Sequence, residues 1–221
     1  MLDETKPRDR IVAAALRLAE RKGWHEVSLG GIAAEAGMPL VVLRHEFQSK
    51  GQILAAFSRA VDHAVLERFP APTDDAPRDR LFDVLITRFE IMRPYKGALR
   101  RIRDDLRCSF AEAAQQMRTA QKSIYWMLAA AGIPGEGGAG LLRVQGLLAL
   151  YARVFAIWLD DDDPGMARTM AELDRRLRRG EAAIRRIGGI RERLRRLTRG
   201  FGGEPETKRD AEEAETPGAA I

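Results

Sequence analysis

Apolar positions along the chain recur at steps of three and four, and no run alternates as a half-buried strand does. Ile11, Ala15 and Leu18, widened by Leu16 and Ala19, lay a stripe on a first helix that Gly23 stops. Ser28 stands where it caps a short helix carrying Leu29, Ile32, Ala33 and Ala36, which Gly37 ends. Pro39 opens a second short helix with Leu40, Leu43 and Phe47 on its apolar face. Ser49 starts a longer one through Ile53, Leu54, Phe57, Val61 and Val65. Three prolines and two aspartates make 69–77 a linker. Beyond it the periodicity predicts helices over roughly 78–92, 96–107, 109–131, 139–159, 165–187 and 190–201. Residues 133–140 read as a flexible connection, Asp163-Pro164 as a cap with a first-turn proline, and Gly188-Gly189 as a hinge. The pattern predicts an all-α chain: a small head over 1–68, the linker, a larger helical bundle over 78–202, and a disordered acidic tail over 203–221.

The two short helices are separated only by Gly37-Met38, a turn that holds them at a steep angle. That is helix-turn-helix geometry, in which the second helix enters the DNA major groove; a helical corner with no role in DNA binding has the same spacing. Ile32, Ala33, Ala36, Leu43 and Phe47 form the small core that fixes the crossing. At 100° per residue, Val41 and His45 point away from Leu43, flanked by Val42, Arg44 and Gln48. Valines suit a thymine methyl, and Arg44 or Gln48 a base edge. Glu46 repels phosphate unless turned away, and it cancels Arg44, so the helix offers little net charge to the backbone. Lys50, at a helix start with free N–H groups, is a candidate phosphate contact, and Lys6, Arg8 and Arg10 form a basic arm.

Composition narrows the classes. The 221 residues are 45% apolar and 31% charged, as in a globular chain. One cysteine, Cys108, rules out an intrachain disulfide framework. The apolar stretch Val144–Leu159 is interrupted by Gln145 and Arg153, so it does not read as a spanning helix, and no secretory signal opens the sequence. A cytoplasmic location is the expectation. The net charge of +5 is unevenly spread: residues 174–199 hold eleven arginines against three acids, whereas 203–221 hold six acids against two basic residues. Ile184, Ile187, Ile190, Leu194, Leu197 and Phe201 share one face of that basic stretch, with Arg185, Arg186, Arg191 and Arg195 among its other positions. A basic helix with an apolar stripe suits a peripheral contact with an anionic membrane. Packing the stripe on the bundle, with the arginines in solvent, accounts for it equally.

The run Ile11–Trp24, then Val27–Met38, then Leu43, Phe47, Ser49, Lys50, Ile53 and Leu54 resembles the TetR family of transcriptional regulators. That resemblance implies a homodimer, a head that binds a DNA operator, and a C-terminal bundle that holds a small ligand or forms the dimer interface. Val144–Leu159 and Ala167–Leu177 are then the dimer helices, with Gly146 allowing close approach. The second short helix departs from the family pattern, keeping Leu43 and Phe47 but losing most of the polar groups that usually reach phosphate. A second similarity lies in Phe155–Pro164, Thr169 and Leu173–Leu177, which look like the TetR-like lipid-binding proteins that assist ubiquinone biosynthesis. That one implies the same scaffold without DNA binding, an apolar lipid pocket and a membrane-touching end. Trp126, Tyr151, Phe155 and Trp158 are the candidate lining of a pocket for a small hydrophobic ligand, with core filling as the alternative.

No other pattern supplies chemistry. Gly135–Gly140 spells a dinucleotide fingerprint but follows a helix where a strand is required. Four consecutive aspartates, Asp160–Asp163, cannot all converge on one cation and suit helix capping. His25, His45 and His63 lack ligand spacing, and Cys108 has no neighbouring base. No cofactor, metal or catalytic group is expected, and the chain reads as no enzyme.

Overall fold

The computed structural model describes the backbone of residues 1–70, 74–106 and 110–200, with side chains for the same residues apart from 110, 111 and 187–200. Among the described residues the structure is helical and contains no strand. In order come α1 (Pro7–Lys22), α2 (Leu29–Glu35), α3 (Leu40–Glu46), α4 (Lys50–Leu66) and α5 (Pro77–Met92). A 3₁₀ turn, Arg93–Tyr95, follows, then α6 (Lys96–Leu106), α7 (Phe110–Ala130), α8 (Gly137–Leu159) and α9 (Ala167–Gly200). Met1–Glu181 forms one compact unit, and the described residues from Ala182 to Gly200 belong to a second.

Local chemistry sets the head. Ser28 caps α2 by accepting from the Gly31 N–H at 3.0 Å. The helix ends in a Schellman closure, Met38 N–H to Ala33 O and Gly37 N–H to Ala34 O, both at 3.0 Å. That closure places Gly37 at φ 62°, where a side chain is strained even though open space surrounds it. Gly37→Ala is expected to cost about 1 kcal/mol in chemical denaturation, since the backbone strain has no packing gain to offset it. The five residues expected to fix the crossing, Ile32, Ala33, Ala36, Leu43 and Phe47, are all buried, and Trp24 completes their core.

The head is continuous with the bundle, because α1 packs on α6 as well as α2, and α4 packs on α7 and α5. Phe89 stacks on Tyr151 and Trp158, with ring centroids 5.5 and 5.3 Å apart, tying α5 to α8 in the bundle core.

Two expectations about the last helices are corrected. Asp163 and Pro164 do not start a helix at 165. The Met166 N–H closes a turn onto Asp163 O, Asp163 accepts from the N–H groups of Gly165 and Ala167, and α9 begins at Ala167. Nor do Gly188 and Gly189 break the chain into two helices: α9 runs through them to Gly200. Glycine costs a helix about 1 kcal/mol per residue, and the helix-favouring arginines and leucines on both sides offset that penalty. The acidic tail, residues 203–221, lies outside the described residues.

Candidate nucleic-acid interface and bundle cavity

Helix α3 presents a mixed apolar and polar face to solvent. Val41 is 73% exposed, and Arg44, His45 and Gln48 are exposed beside it, with Val42 half-buried against the core. Leu43 and Phe47 turn inward. Among the described residues, nothing in the compact unit covers the outward side. Glu46 is half-buried and paired: Arg8 Nη1 lies 3.3 Å from its carboxylate, and the Arg8 guanidinium sits 4.5 Å from the centre of the Phe47 ring. The arm residue thus neutralises the acid that opposes phosphate binding. Lys6 pairs with Asp3 at 3.5 Å.

Lys50 begins α4 below a cap in which Ser49 accepts from the Gln52 N–H and Gln52 in turn accepts from the Gln48 N–H. Its ammonium donates to Trp24 O at 3.0 Å and lies 5.0 Å from the Trp24 ring centre. The same Trp24 turn is held from the bundle by Asp105 on α6, which accepts from the backbone N–H groups of Trp24 and His25. Partial burial pushes the Asp105 carboxyl up, but those two N–H groups outweigh it and hold it below its ordinary range. A residue of the candidate DNA face and a residue of α6 therefore grip one turn from two sides.

Inside the bundle lies a cavity of about 380 Å³ lined by α4, α5, α6, α7 and α8. Its wall is mostly apolar, with Leu54, Phe57, Met92, Ile102, Leu148 and Phe155 prominent. Tyr151 and Phe155 line it. The two tryptophans do not: Trp158 is fully buried in the core beside Phe89, and Trp126 is half exposed on the outer side of α7. Helical spacing places a residue on a face but leaves open whether that face meets a cavity, a core or solvent.

One polar group of the cavity was missed in the sequence. Arg88, fully buried, donates to Asp62 through Nη1 and to the Tyr151 hydroxyl through Nε, the latter at 3.1 Å. Ser123 donates to the other Asp62 oxygen at 2.7 Å, and Ser58 lies 2.9 Å from Ser123. Burial pulls the Arg88 guanidinium down, but Tyr151 and Asp62 outweigh it and keep it charged. The available signal was a charge inside an apolar stripe: Arg88 falls in step with Leu81, Leu85 and Met92.

The aspartate run is distributed over separate partners. Asp160 faces Arg103, Asp161 accepts from Thr169, Asp162 faces Arg100, and Asp163 closes the turn before α9. On α8 an outward strip of Leu142, Gly146, Ala149 and Arg153 is exposed, and on α9 Met170 is partly so. Arg185 and Arg186 are exposed, whereas the side chains of Arg191 and Arg195 lie outside the described residues, as does Cys108.

The described residues form a helix-turn-helix head joined to a helical bundle with a cavity. Residues 11–57 match the family described as "Bacterial regulatory proteins, tetR family", so the head is a TetR-type helix-turn-helix domain. The HTH-type transcriptional regulator PksA of Bacillus subtilis (strain 168) is 31% identical over 87 residues, which are 38% of this chain and 42% of that protein. The fold as a whole is similar to a TetR transcriptional regulator from Nitrosomonas europaea ATCC 19718. There the TM-score is 0.63 at 20% identity, over 77% of this chain and 95% of that one. It is also similar to a tetR-family regulator from Streptomyces coelicolor, with a TM-score of 0.52 at 21% identity, over 86% and 99% of the two chains.

Proposed function

We propose that this protein is a homodimeric transcriptional regulator that binds a DNA operator through α3 and is governed by a small apolar ligand in the bundle cavity. The observation that carries the reading is the open α3 face: Val41, Arg44, His45 and Gln48 are exposed over a finished core, and Glu46 is neutralised by Arg8. With two heads about 34 Å apart, such a dimer reads two half-sites one turn of DNA apart. The strip Leu142, Gly146 and Ala149 on α8 is the surface we assign to the dimer, since small residues let two helices approach closely. Lys50 serves as a phosphate contact by exchanging its bond to Trp24 O for a phosphate oxygen, and a cytoplasmic location fits such a regulator.

Regulation follows from the cavity wall. Helix α6 lines the cavity and also holds the Trp24 turn through Asp105, while α4 lines it and begins at Lys50. A ligand that binds one placement of α6 and α4 better than another shifts operator affinity by that difference. The test is selection of a preferred site from genomic DNA, followed by titration at two salt concentrations. A specific, salt-sensitive site that survives competitor DNA is expected, with Arg44→Ala weakening it by about tenfold, the worth of a lost base contact. Recovery of no preferred site rejects the regulator. Sedimentation with anionic liposomes that is lost on truncation after Gly188, in a protein that selects no DNA, instead favours the lipid-handling reading and membrane contact through Arg185, Arg186, Arg191 and Arg195.

A further inference from the structure

The hydrogen-bond ledger of the cavity's polar group is unbalanced in one direction. Ser123 has one proton and gives it to Asp62, so in the 2.9 Å contact between the two serines Ser58 is the donor. Ser58 in turn accepts from Arg88 Nη2, at 3.4 Å, a long and weak contact. Asp62 has both oxygens engaged, one by Arg88 Nη1 and the other by Ser123. The loop Arg88–Ser58–Ser123–Asp62–Arg88 is therefore closed, and each of its acceptor oxygens already has a donor. Donors are left over. The Tyr151 hydroxyl accepts from Arg88 Nε and donates to no acceptor among the described residues. Burial holds that phenol above its ordinary range, so it keeps its proton at neutral pH. Arg88 Nη2 is only loosely engaged. Both residues line the cavity.

Charge decides the rest. The charged groups lining the cavity among the described residues are Arg88 and Arg103. Each already has its counter-ion: Asp62 for Arg88, and Asp104 and Asp160 for Arg103 at 2.9 and 3.5 Å. A ligand carboxylate meets no uncompensated cation here and leaves a net buried negative charge, which costs several kcal/mol. A ligand ammonium meets no carboxylate among the described lining residues, only the neutral oxygens of Gln116 and Thr119, which do not balance its charge.

We infer that the cavity takes a neutral, largely apolar molecule carrying a carbonyl-type acceptor oxygen, held by the Tyr151 hydroxyl and Arg88 Nη2. This rests on the reading of the cavity as a ligand site and names the chemistry that the site selects. A matched set of probes with one carbon count tests it on the full-length protein: undecane, methyl nonyl ketone, undecanoate and undecylammonium. Binding is measured at neutral pH by calorimetry and by the fluorescence of buried Trp158, which packs on the cavity residue Phe155. The ketone is expected to bind about tenfold more tightly than undecane, the worth of one well-made hydrogen bond, and more tightly than either ion. In Tyr151→Phe, which keeps the ring stacked on Phe89, ketone affinity is expected to fall several-fold toward that of undecane while undecane binding is retained. Undecanoate binding as tightly as the ketone, or ketone affinity unchanged in Tyr151→Phe, overturns the assignment of ligand class and leaves the cavity as a ligand site of another kind. Binding of none of the probes, undecane included, overturns the ligand site itself.

Discussion

Asp62→Ala is expected to destabilise the protein by about 3–5 kcal/mol in urea denaturation followed by circular dichroism. Its partner Arg88 is only 4% exposed, and the carboxylate is what balances the guanidinium in the bundle interior. Removing Asp62 strands that charge and leaves the Ser123 hydroxyl without its acceptor. Replacing both partners, Asp62→Leu with Arg88→Met, removes the desolvation penalty together with the attraction. That double variant is expected within about 1–2 kcal/mol of the parent, in either direction. A single variant as stable as the parent would mean that water reaches Arg88 freely, and the description of the pair as buried would be wrong. The double variant has a second use. It should keep the fold while removing Arg88 Nη2 from the cavity, so its binding of an acceptor-bearing probe should weaken yet, with the Tyr151 hydroxyl retained, stay tighter than that of the bare hydrocarbon.

Legibility in the sequence follows the range over which each interaction acts. The helix-turn-helix head was readable because its determinants are local. Ser28, Gly37 and Ser49 act on backbone groups within five residues, and the stripe Ile32, Ala33, Ala36, Leu43 and Phe47 follows from helix periodicity alone. What decides the character of the α3 face is not local. Glu46 looked like an obstacle to DNA because its partner Arg8 stands 38 residues earlier. Lys50 looked free because the carbonyl it holds belongs to Trp24, across the head. The bundle shows the same division. Helical periodicity predicted α5 to α8 nearly to their ends, yet it could not separate Trp158, packed in the core, from Phe155 on the cavity wall three residues away. Gly188-Gly189 misled in the opposite sense, since a local propensity of about 1 kcal/mol per glycine is small beside the cooperativity of a long helix. The closed loop of Asp62, Arg88, Ser58 and Ser123 draws on α4, α5 and α7, and only tertiary structure brings those positions together.

Val41→Asp should produce the largest effect on DNA binding. Val41 is 73% exposed at the start of α3, and an acidic group in the first turn of a helix is favourable, so the substitution should leave thermal stability unchanged. In the proposed complex the same carboxylate would put a charge where Val41 faces the groove. One lost base contact is worth about 1–3 kcal/mol, and the proposed dimer carries the substitution twice, so specific affinity should fall by at least about thirtyfold. Fluorescence anisotropy on the selected site measures it. Val41→Ala supplies the control: it removes the apolar contact without adding charge, and its loss should be smaller. Arg8→Ala separates charge from contact again. It touches no base, yet by exposing Glu46 it should weaken specific and non-specific binding alike and lower the salt dependence, because it removes net positive charge near the phosphates. Should Val41→Asp bind the selected site as tightly as the parent, α3 does not enter the groove, and whatever affinity the protein has for DNA resides on another surface.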